Sequence, residues 1–484
     1  MTASLDSDAA TEALAGPQPL GAFDLPAGML LVPTRTPEED SVRRDLLAGR
    51  LPSSWPASLE GHRLAHQGDL VAAAAAFAGD DPTDRYNRWV LDADTATADE
   101  VRAGLPAHLH PLVDVVAWSV GASDDLPVDD PELPDEVRAL VVATCASELM
   151  STGRDVEARG LLQRAATLVT ATNPVLAAVL LGNAAGLGLD HDADLSAARA
   201  DLESALVDLT DTDLRTMRAE LLNQLGSLAH EEAARAGLPQ SDAMARYYDA
   251  LGLVTEESAP FLWASIQLNL ATAHLATPMT TASDQLRLGV ATQSLRACRR
   301  IFTPQDNPAQ WSTATLNLAN ALVYTPSTHQ ADNLVEAVEL YEEILESGVR
   351  DPRSVAYARV LANQGNALAH LGAPDAARAK LAEARFIFEA NLDHDGALAV
   401  REVLDAISRS EVDDPDQAAF EADLARQVAQ MSQVPGAEDI GRTSGMGVRV
   451  EPATPSATPP PDAQRRAKVT ILRTGSTPAD EETS

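Results

Sequence analysis

The stretch Leu361–Ala384, LANQGNALAHLGAPDAARAKLAEA, decides the fold class of this chain. Apolar and small residues recur at three- and four-residue spacings on both sides of Gly372, which predicts two helices joined by a tight turn. The small residues Gly365 and Ala377 let the two helix backbones approach, and Leu381 fills the seam between them. The stretch therefore predicts an antiparallel helical hairpin.

The same hairpin pattern recurs upstream, which is the signature of a repeat protein. In each unit a small or apolar residue of the first helix precedes a matching set in the second. These sets are Ala146 with Ala158, Leu162 and Ala165; Gly182 with Ala198, Leu202 and Ala205; Leu225 with Ala243, Tyr247 and Ala250; Ala271 with Ala291, Leu295 and Cys298; Ala319 with Ala337, Tyr341 and Ile344; and Gly61, Gly68, Ala73 and Phe77 nearer the start. The pattern predicts seven units, with a degenerate eighth between Tyr86 and Glu136.

Each unit resembles a tetratricopeptide repeat, whose paired helices carry small, small and large apolar residues in this order. The intervals between first-helix positions from Ala146 to Gly365 are 36, 43, 46, 48 and 46 residues, and that family repeats every ~34 residues. The additional residues fall between the two helices of a unit, as in Thr277–Asp284 and Thr325–Asp332. The resemblance implies an all-α, right-handed α-solenoid of the extended-repeat form.

Four regions follow from the pattern along the chain. Residues 1–50 contain scattered Gly and Pro and are expected to form an irregular lead-in. Residues 51–410 hold the repeat array, and residues 411–433 are expected to form a helix that caps its end. Residues 434–484 are rich in Pro, Thr and Ser, and we expect a disordered tail.

Charge and composition narrow the function classes. The chain has 72 acidic and 36 basic residues, a net charge of −36, which disfavours a nucleic-acid-binding surface. No apolar stretch reaches the ~20 residues of a membrane helix, no secretory signal is recognisable, and the two cysteines are too far apart for a local metal knuckle. We therefore expect a cytoplasmic protein that binds neither membrane nor nucleic acid.

No catalytic motif appears in the sequence. A Gly-rich phosphate loop, a Gly-x-Ser-x-Gly elbow and a His-Glu-x-x-His helix are all missing. The expectation is a non-catalytic protein without a cofactor, although an enzyme built from dispersed residues would leave no such trace.

The most informative polar pattern is a set of asparagines on the first helices. Asn223, Asn269, Asn317 and Asn363 occupy the same slot in four consecutive first helices; Asn320 and Asn366 follow three residues after two of them, and Arg359 lies four before Asn363. First helices line the concave surface of a superhelical stack, so these side chains are predicted to form a ladder along it. Amides can pair with the backbone of an extended peptide, which makes these seven residues candidate peptide-binding residues.

A structural role for these asparagines is the alternative, since the same amides can hydrogen-bond within the array. The family resemblance favours binding, because matching asparagines in tetratricopeptide domains often contact peptide ligands. The lysines of the family's carboxylate-clamp subclass are missing from these faces, so an acidic C-terminal ligand is disfavoured. An acidic groove favours a basic or neutral segment instead.

The tail itself contains a basic segment. Between Arg442 and Gly475 there are six basic and two acidic residues, and Lys468–Arg473 has the β-branched content of a strand. This segment is either a solvated linker or a ligand, which would dock on its own array or on a partner.

The segment Asn391–Glu402 has the spacing of a calcium-binding loop. Asn391, Asp393 and Asp395 place oxygen atoms on alternate residues, and Glu402 stands in the twelfth position. The competing interpretation is a turn between two repeat units, which also uses Asp and Gly before an Ala-rich helix. The turn is the favoured interpretation, so no metal site is assigned.

The sequence favours an interaction scaffold or adaptor that binds a peptide or protein partner on its concave face and assists the assembly or regulation of a larger complex. The alternative is a calcium-responsive or small-ligand sensory module on the same array. Repeat arrays serve many roles, so the fold alone does not name the partner, the pathway or the oligomeric state.

Overall fold

A computed structural model describes residues 21–189, 195–277, 284–324 and 329–410. The described residues form helices and connecting loops and contain no β-strand. The predicted cap at residues 411–433, the predicted tail at 434–484 and most of the long intra-unit loops lie outside these residues.

Nineteen α-helices occur in the described part of the chain. They are α1 (Pro37–Leu47), α2 (Glu60–His66), α3 (Leu70–Ala76), α4 (Pro82–Leu91), α5 (Ala98–Gly104), α6 (His110–Ser119), α7 (Asp135–Ser151), α8 (Asp155–Val169), α9 (Pro174–Leu189), α10 (Leu195–Asp208), α11 (Arg215–Ala236), α12 (Ser241–Leu251), α13 (Pro260–Ala276), α14 (Asp284–Ile301), α15 (Pro308–Tyr324), α16 (Gln330–Glu346), α17 (Val355–His370), α18 (Pro374–Ala390) and α19 (His394–Ser410).

The chain divides into two compact units, and the boundary falls within α11. The described part of unit 1 runs from residue 21 to Leu225, and that of unit 2 from Gly226 to residue 410. In each unit, consecutive helices pack against one another as hairpins, such as α7 with α8 in unit 1 and α17 with α18 in unit 2. The all-α hairpin fold expected from the sequence is confirmed.

The predicted second-helix sets form the core of these hairpins. Their members are all at most 2% exposed: Ala158, Leu162, Ala165, Ala198, Leu202, Ala205, Ala243, Tyr247, Ala250, Ala291, Leu295, Cys298, Ala337, Tyr341, Ile344, Ala377, Leu381 and Ala384. The small first-helix residues explain the close packing, because a Cβ added to Gly365 would lie 2.7 Å from Cγ of Leu381. Removing this apolar surface from water is the main favourable term in such arrays.

The N-terminal segment, residues 21–32, is packed into unit 1. Its residues Met29–Val32 are buried, and Gly21 lies against Leu140 of α7 and Leu176 of α9. Helix α1 follows, with a capping box in which Thr36 and Glu39 satisfy each other's backbone N–H groups. The region expected to be an irregular lead-in thus includes a helix and contributes core residues to unit 1.

Candidate functional site

The predicted asparagines lie on the first helices of successive hairpins. Asn223 is on α11, Asn269 on α13, Asn317 and Asn320 on α15, and Asn363 and Asn366 on α17. Within unit 2, α13 contacts α15, and α15 contacts α17. The slot assigned from the sequence is therefore a shared structural position on neighbouring helices.

The amides of unit 2 bond from one hairpin to the one before it. Asn269 Nδ2 donates to Ser227 Oγ at 3.5 Å, and Asn317 Nδ2 donates to Thr272 Oγ1 at 3.3 Å. Asn363 Nδ2 donates to Asn320 Oδ1 at 3.1 Å. Each donor thus meets a Ser, Thr or Asn oxygen on the preceding first helix, and these three bonds constitute the amide ladder.

Two tyrosines on the second helices form hydrogen bonds with residues of the amide ladder. Tyr341 donates its hydroxyl hydrogen to Asn320 Oδ1 at 2.7 Å, and the Tyr247 hydroxyl lies 3.3 Å from Ser227 Oγ. Burial raises the pKa of both tyrosines far above their usual value, so both hydroxyls stay protonated. The structural role considered for the asparagines is therefore present, and peptide binding stays a prediction.

On α17, the Asn366 amide oxygen and the Arg359 guanidinium take no part in the amide ladder. Asn366 is 2% exposed, and its Oδ1 has no hydrogen-bond partner in the described part of the chain. On α19, Glu402 and Asp405 stand in the slots that correspond to Asn363 and Asn366, 39 positions later. Both are exposed carboxylates, which cannot donate a hydrogen bond when ionised. Arg359, half-buried one turn before Asn363, lies within salt-bridge distance of no carboxylate among the described residues.

Sequence reasoning missed a further asparagine, Asn87 of α4. Its Oδ1 accepts the backbone N–H of Leu31 at 2.8 Å, and its Nδ2 donates to the Leu31 carbonyl at 2.9 Å. His62 Nε2 lies 2.9 Å from the same carbonyl oxygen. Asn87 and Leu31 are both fully buried. One amide therefore satisfies both backbone groups of a residue in an irregular segment 56 positions away.

Two carboxylates of unit 1, Glu220 and Asp24, have raised pKa values that the sequence did not predict. Glu220 of α11 is 7% exposed, and its Oε2 has no hydrogen-bond partner in the described residues. Burial, and secondarily the charge of Asp24, raise the pKa of Glu220 to about 7. Surrounding protein raises the pKa of Asp24 to about 7 as well, although Asp24 keeps exposed surface.

Replacing Glu220 by glutamine is expected to make unit 1 less sensitive to pH. A carboxyl whose pKa is raised in the folded state favours folding most below its unfolded value near 4.5, and that advantage is lost as pH rises through about 7. Glu220→Gln, measured by chemical denaturation, should exceed the natural chain in stability by on the order of 3 kcal/mol at pH 8 and match it at pH 4.

The exposed Glu38 on α1 provides the matched control. Glu38→Gln should change stability equally little at both pH values. A gain from Glu220→Gln that is the same at pH 4 and pH 8 would show that the carboxyl does not titrate as described.

The segment with calcium-loop spacing adopts a different conformation. α18 ends at Ala390, α19 begins at His394, and Asp393 Oδ1 accepts the backbone N–H of Gly396. Helix α19 therefore begins at the fourth position of the segment, so Asp395 is already helical where a calcium loop needs an open loop to direct its oxygen ligands. The favoured interpretation, a turn between units, agrees with this geometry. Nowhere in the described ranges do three or more His, Cys, Asp or Glu side chains come together as metal ligands.

Comparisons with known proteins add little. No protein-family model matches the sequence, and no curated protein matches it. One similar solved structure is a signal transduction ATPase with numerous domains, with a tetratricopeptide repeat sensor, from Pyrococcus horikoshii. It is 12% identical with a TM-score of 0.47, and the match covers 70% of this chain and 54% of that chain.

Across the described residues, no helix is long and apolar enough to cross a bilayer.

Proposed function

We propose that this chain is a non-catalytic, cytoplasmic scaffold or adaptor of the extended tetratricopeptide type. Its proposed ligand is an extended segment of a partner protein, bound along the first helices of unit 2. Asn269, Asn317, Asn320 and Asn363 would contact the backbone of that segment, with Arg359 beside them, whereas Asn366 is only 2% exposed and is not proposed to reach the ligand. Asn223, on the part of α11 that belongs to unit 1, is proposed as a separate peptide-contacting residue.

The interaction between Asn87 and Leu31 is the observation that supports this proposal. There, an asparagine on a helix holds both backbone groups of an irregular segment within this same chain. Backbone pairing of this kind depends little on side-chain identity, so it suits a site that accepts extended peptides. In the described part of unit 2, Asn317 and Asn363 use only their Nδ2 atoms within the protein. Their Oδ1 atoms can accept a peptide N–H without breaking the amide ladder.

Charge defines the class of ligand. Residues 1–433 carry a net charge of −35, so a neutral or basic segment is favoured over an acidic one. Arg359 is an exception near Asn363, and its guanidinium can meet the peptide's carbonyl oxygens. The proposed partner is therefore a protein that presents an unfolded neutral-to-basic segment.

Replacing Asn317 and Asn363 together by alanine is expected to weaken peptide binding by about tenfold or more, since each lost backbone bond contributes ~1 kcal/mol. Peptides would be selected from a random library against the full chain, and their affinities measured by calorimetry. The double variant also loses two ladder bonds, so its melting temperature is expected to fall modestly.

A control separates binding from stability. Thr272→Val removes the partner of Asn317 within the array but none of the proposed ligand contacts. It should lower the melting temperature by a comparable amount per bond and leave peptide affinity unchanged. If the double variant binds the selected peptides as tightly as the natural chain, unit 2 does not use its asparagines for binding.

A further inference from the structure

Unit 1 contains an apolar groove with acidic residues along it. The groove lies between α6 and the loop that leads to α7, residues 120–134. Its volume is about 490 Å³, and its lining includes Pro111 and Asp114 of α6 together with Leu126, Val128 and Asp130 of the loop. A groove of this size can hold the side chains of a short peptide segment.

Every second residue of the loop lines the groove along residues 126–130. Leu126, Val128 and Asp130 are lining residues, whereas Pro127 is buried and Asp129 is half-buried. A period of two is that of a β-strand. Although both are apolar, Leu126 is 39% exposed and Val128 is 77% exposed. The loop therefore presents one side of an extended segment to the groove.

The intervening residues fix this segment to the protein. The Pro127 carbonyl accepts a hydrogen bond from the Cys145 thiol, with 3.7 Å between sulfur and oxygen. Asp129 accepts a hydrogen bond from Arg138 Nε at 2.6 Å and also pairs with Arg164. These contacts join the loop to α7 and α8. The segment is thus held in place while its groove side stays exposed.

The backbone of the segment is open to pairing. The N–H and carbonyl groups of Leu126 and Val128 have no hydrogen-bond partner within the described chain. An exposed extended segment with unpaired backbone groups is a template for the addition of a strand. The loop therefore offers both a fixed edge and adjacent room for the side chains of an added strand.

Charge selects the class of strand. The loop contains five acidic residues and no basic one. Arg102 also lines the groove, but its guanidinium is already paired with Asp114 at 2.5 Å. Asp125 and Asp130, by contrast, are exposed carboxylates of the lining. The complementary strand is one that combines apolar side chains with a basic one.

We propose that the tail segment Lys468–Arg473, KVTILR, docks in this groove and adds a strand beside Leu126–Asp130 of the same chain. The tail segment lies outside the described residues. Its pattern is that of the loop with the opposite charge: two apolar residues and one charged residue at two-residue spacing. These residues are Val469, Ile471 and Arg473 in the tail, and Leu126, Val128 and Asp130 in the loop. The site lies in unit 1 and does not depend on the proposed role of the asparagines in unit 2.

Hydrogen exchange of the Leu126 and Val128 amides in the full chain tests the docking. A flexible tether gives an effective concentration of ~1 mM, so a segment with a dissociation constant of ~100 μM is about 90% docked. Both amides should then exchange about tenfold more slowly in the natural chain than in Val469→Asp/Ile471→Asp, which removes the apolar contacts. Equal exchange rates in these two chains would overturn the proposal.

A second tail variant provides the matched control. Val448→Asp/Val450→Asp introduces the same two charges at the same spacing, elsewhere in the tail. It leaves Lys468–Arg473 intact and should retain the slow exchange of both amides. If it accelerates exchange as much as Val469→Asp/Ile471→Asp does, the docked segment is not Lys468–Arg473 and the proposal is wrong.

A capped peptide with the sequence of residues 468–473 tests the groove itself. By calorimetry, it should bind full-length Val469→Asp/Ile471→Asp with a dissociation constant of ~100 μM. Adding Val128→Asp, which replaces an exposed side chain, should weaken this binding by at least about tenfold. Equal affinity with and without Val128→Asp would show that the groove is not the site.

The tail of a second copy is the other possible occupant. Docking within one chain gives exchange rates that do not change with protein concentration. Slow exchange that appears only at high protein concentration would show that the groove takes the tail of a second copy, and would overturn the proposal as stated.

Discussion

Replacing Asn87 by leucine is expected to lower the free energy of unfolding by roughly 2–4 kcal/mol. Leucine is similar in size, so the effect comes from the two bonds to Leu31 and not from a cavity. The Leu31 N–H would be buried without an acceptor, while its carbonyl would keep only His62 Nε2 at 2.9 Å. Chemical denaturation followed by circular dichroism measures the change.

Hydrogen exchange gives this prediction a local readout. The amide hydrogen of Leu31 should exchange at least about tenfold faster in Asn87→Leu, because its only acceptor has been removed. Asn333 on α16 makes no side-chain hydrogen bond in the described residues, so Asn333→Leu is the matched control. If Asn87→Leu and Asn333→Leu lose equal stability, the hydrogen bonds from Asn87 to Leu31 make no contribution of their own to stability.

Replacing Gly365 by valine is expected to destabilise unit 2 by about 3 kcal/mol through overpacking. The first added carbon would already lie 2.7 Å from Leu381 Cγ and 3.2 Å from the Ala377 carbonyl oxygen. Both neighbours belong to α18, so relief requires the hairpin to open. Thermal unfolding should show a large drop in melting temperature.

Replacement of a second glycine is expected to have the opposite effect on stability. Gly289 is an exposed residue within α14, and a Cβ there meets no atom within 4 Å. Gly289→Ala should therefore stabilise the protein by about 0.5–1 kcal/mol, as expected for glycine in a helix interior. If Gly365→Val left the melting temperature unchanged, close approach of α17 and α18 would not explain the glycine at 365.

The hairpins were predictable because their determinants are local. Leu381 and Ala377 are buried against Gly365 only 12 to 16 residues away, and helical periodicity alone places them on facing sides. The favoured turn at Asn391–Glu402 followed from the same logic, since Asp393 caps the helix that comes directly after it. Information of this kind is present in a single window of sequence.

The candidate sites were only partly predictable. The sequence identified the asparagine slot but not the donors' direction, which depends on how α13, α15 and α17 align. The hydrogen bonds of Asn87 with Leu31 join residues 56 positions apart in the chain, and Leu31 lies in a segment without regular structure. No local periodicity reports such contacts.

The amide ladder makes unit 2 directional. Every donor points to the preceding hairpin, and the acceptor there is a serine, a threonine or an asparagine. A hairpin that carries one donor and one acceptor can therefore be duplicated or removed between two others without leaving an unmatched group. Hairpins in the middle of such an array can therefore be added or removed, in evolution or in design, without loss of hydrogen bonds in the ladder. The amide ladder needs a change to extend beyond α17, because Asn366 requires a donor from the next first helix, α19. Glu402→Gln is the smallest change that introduces such a donor.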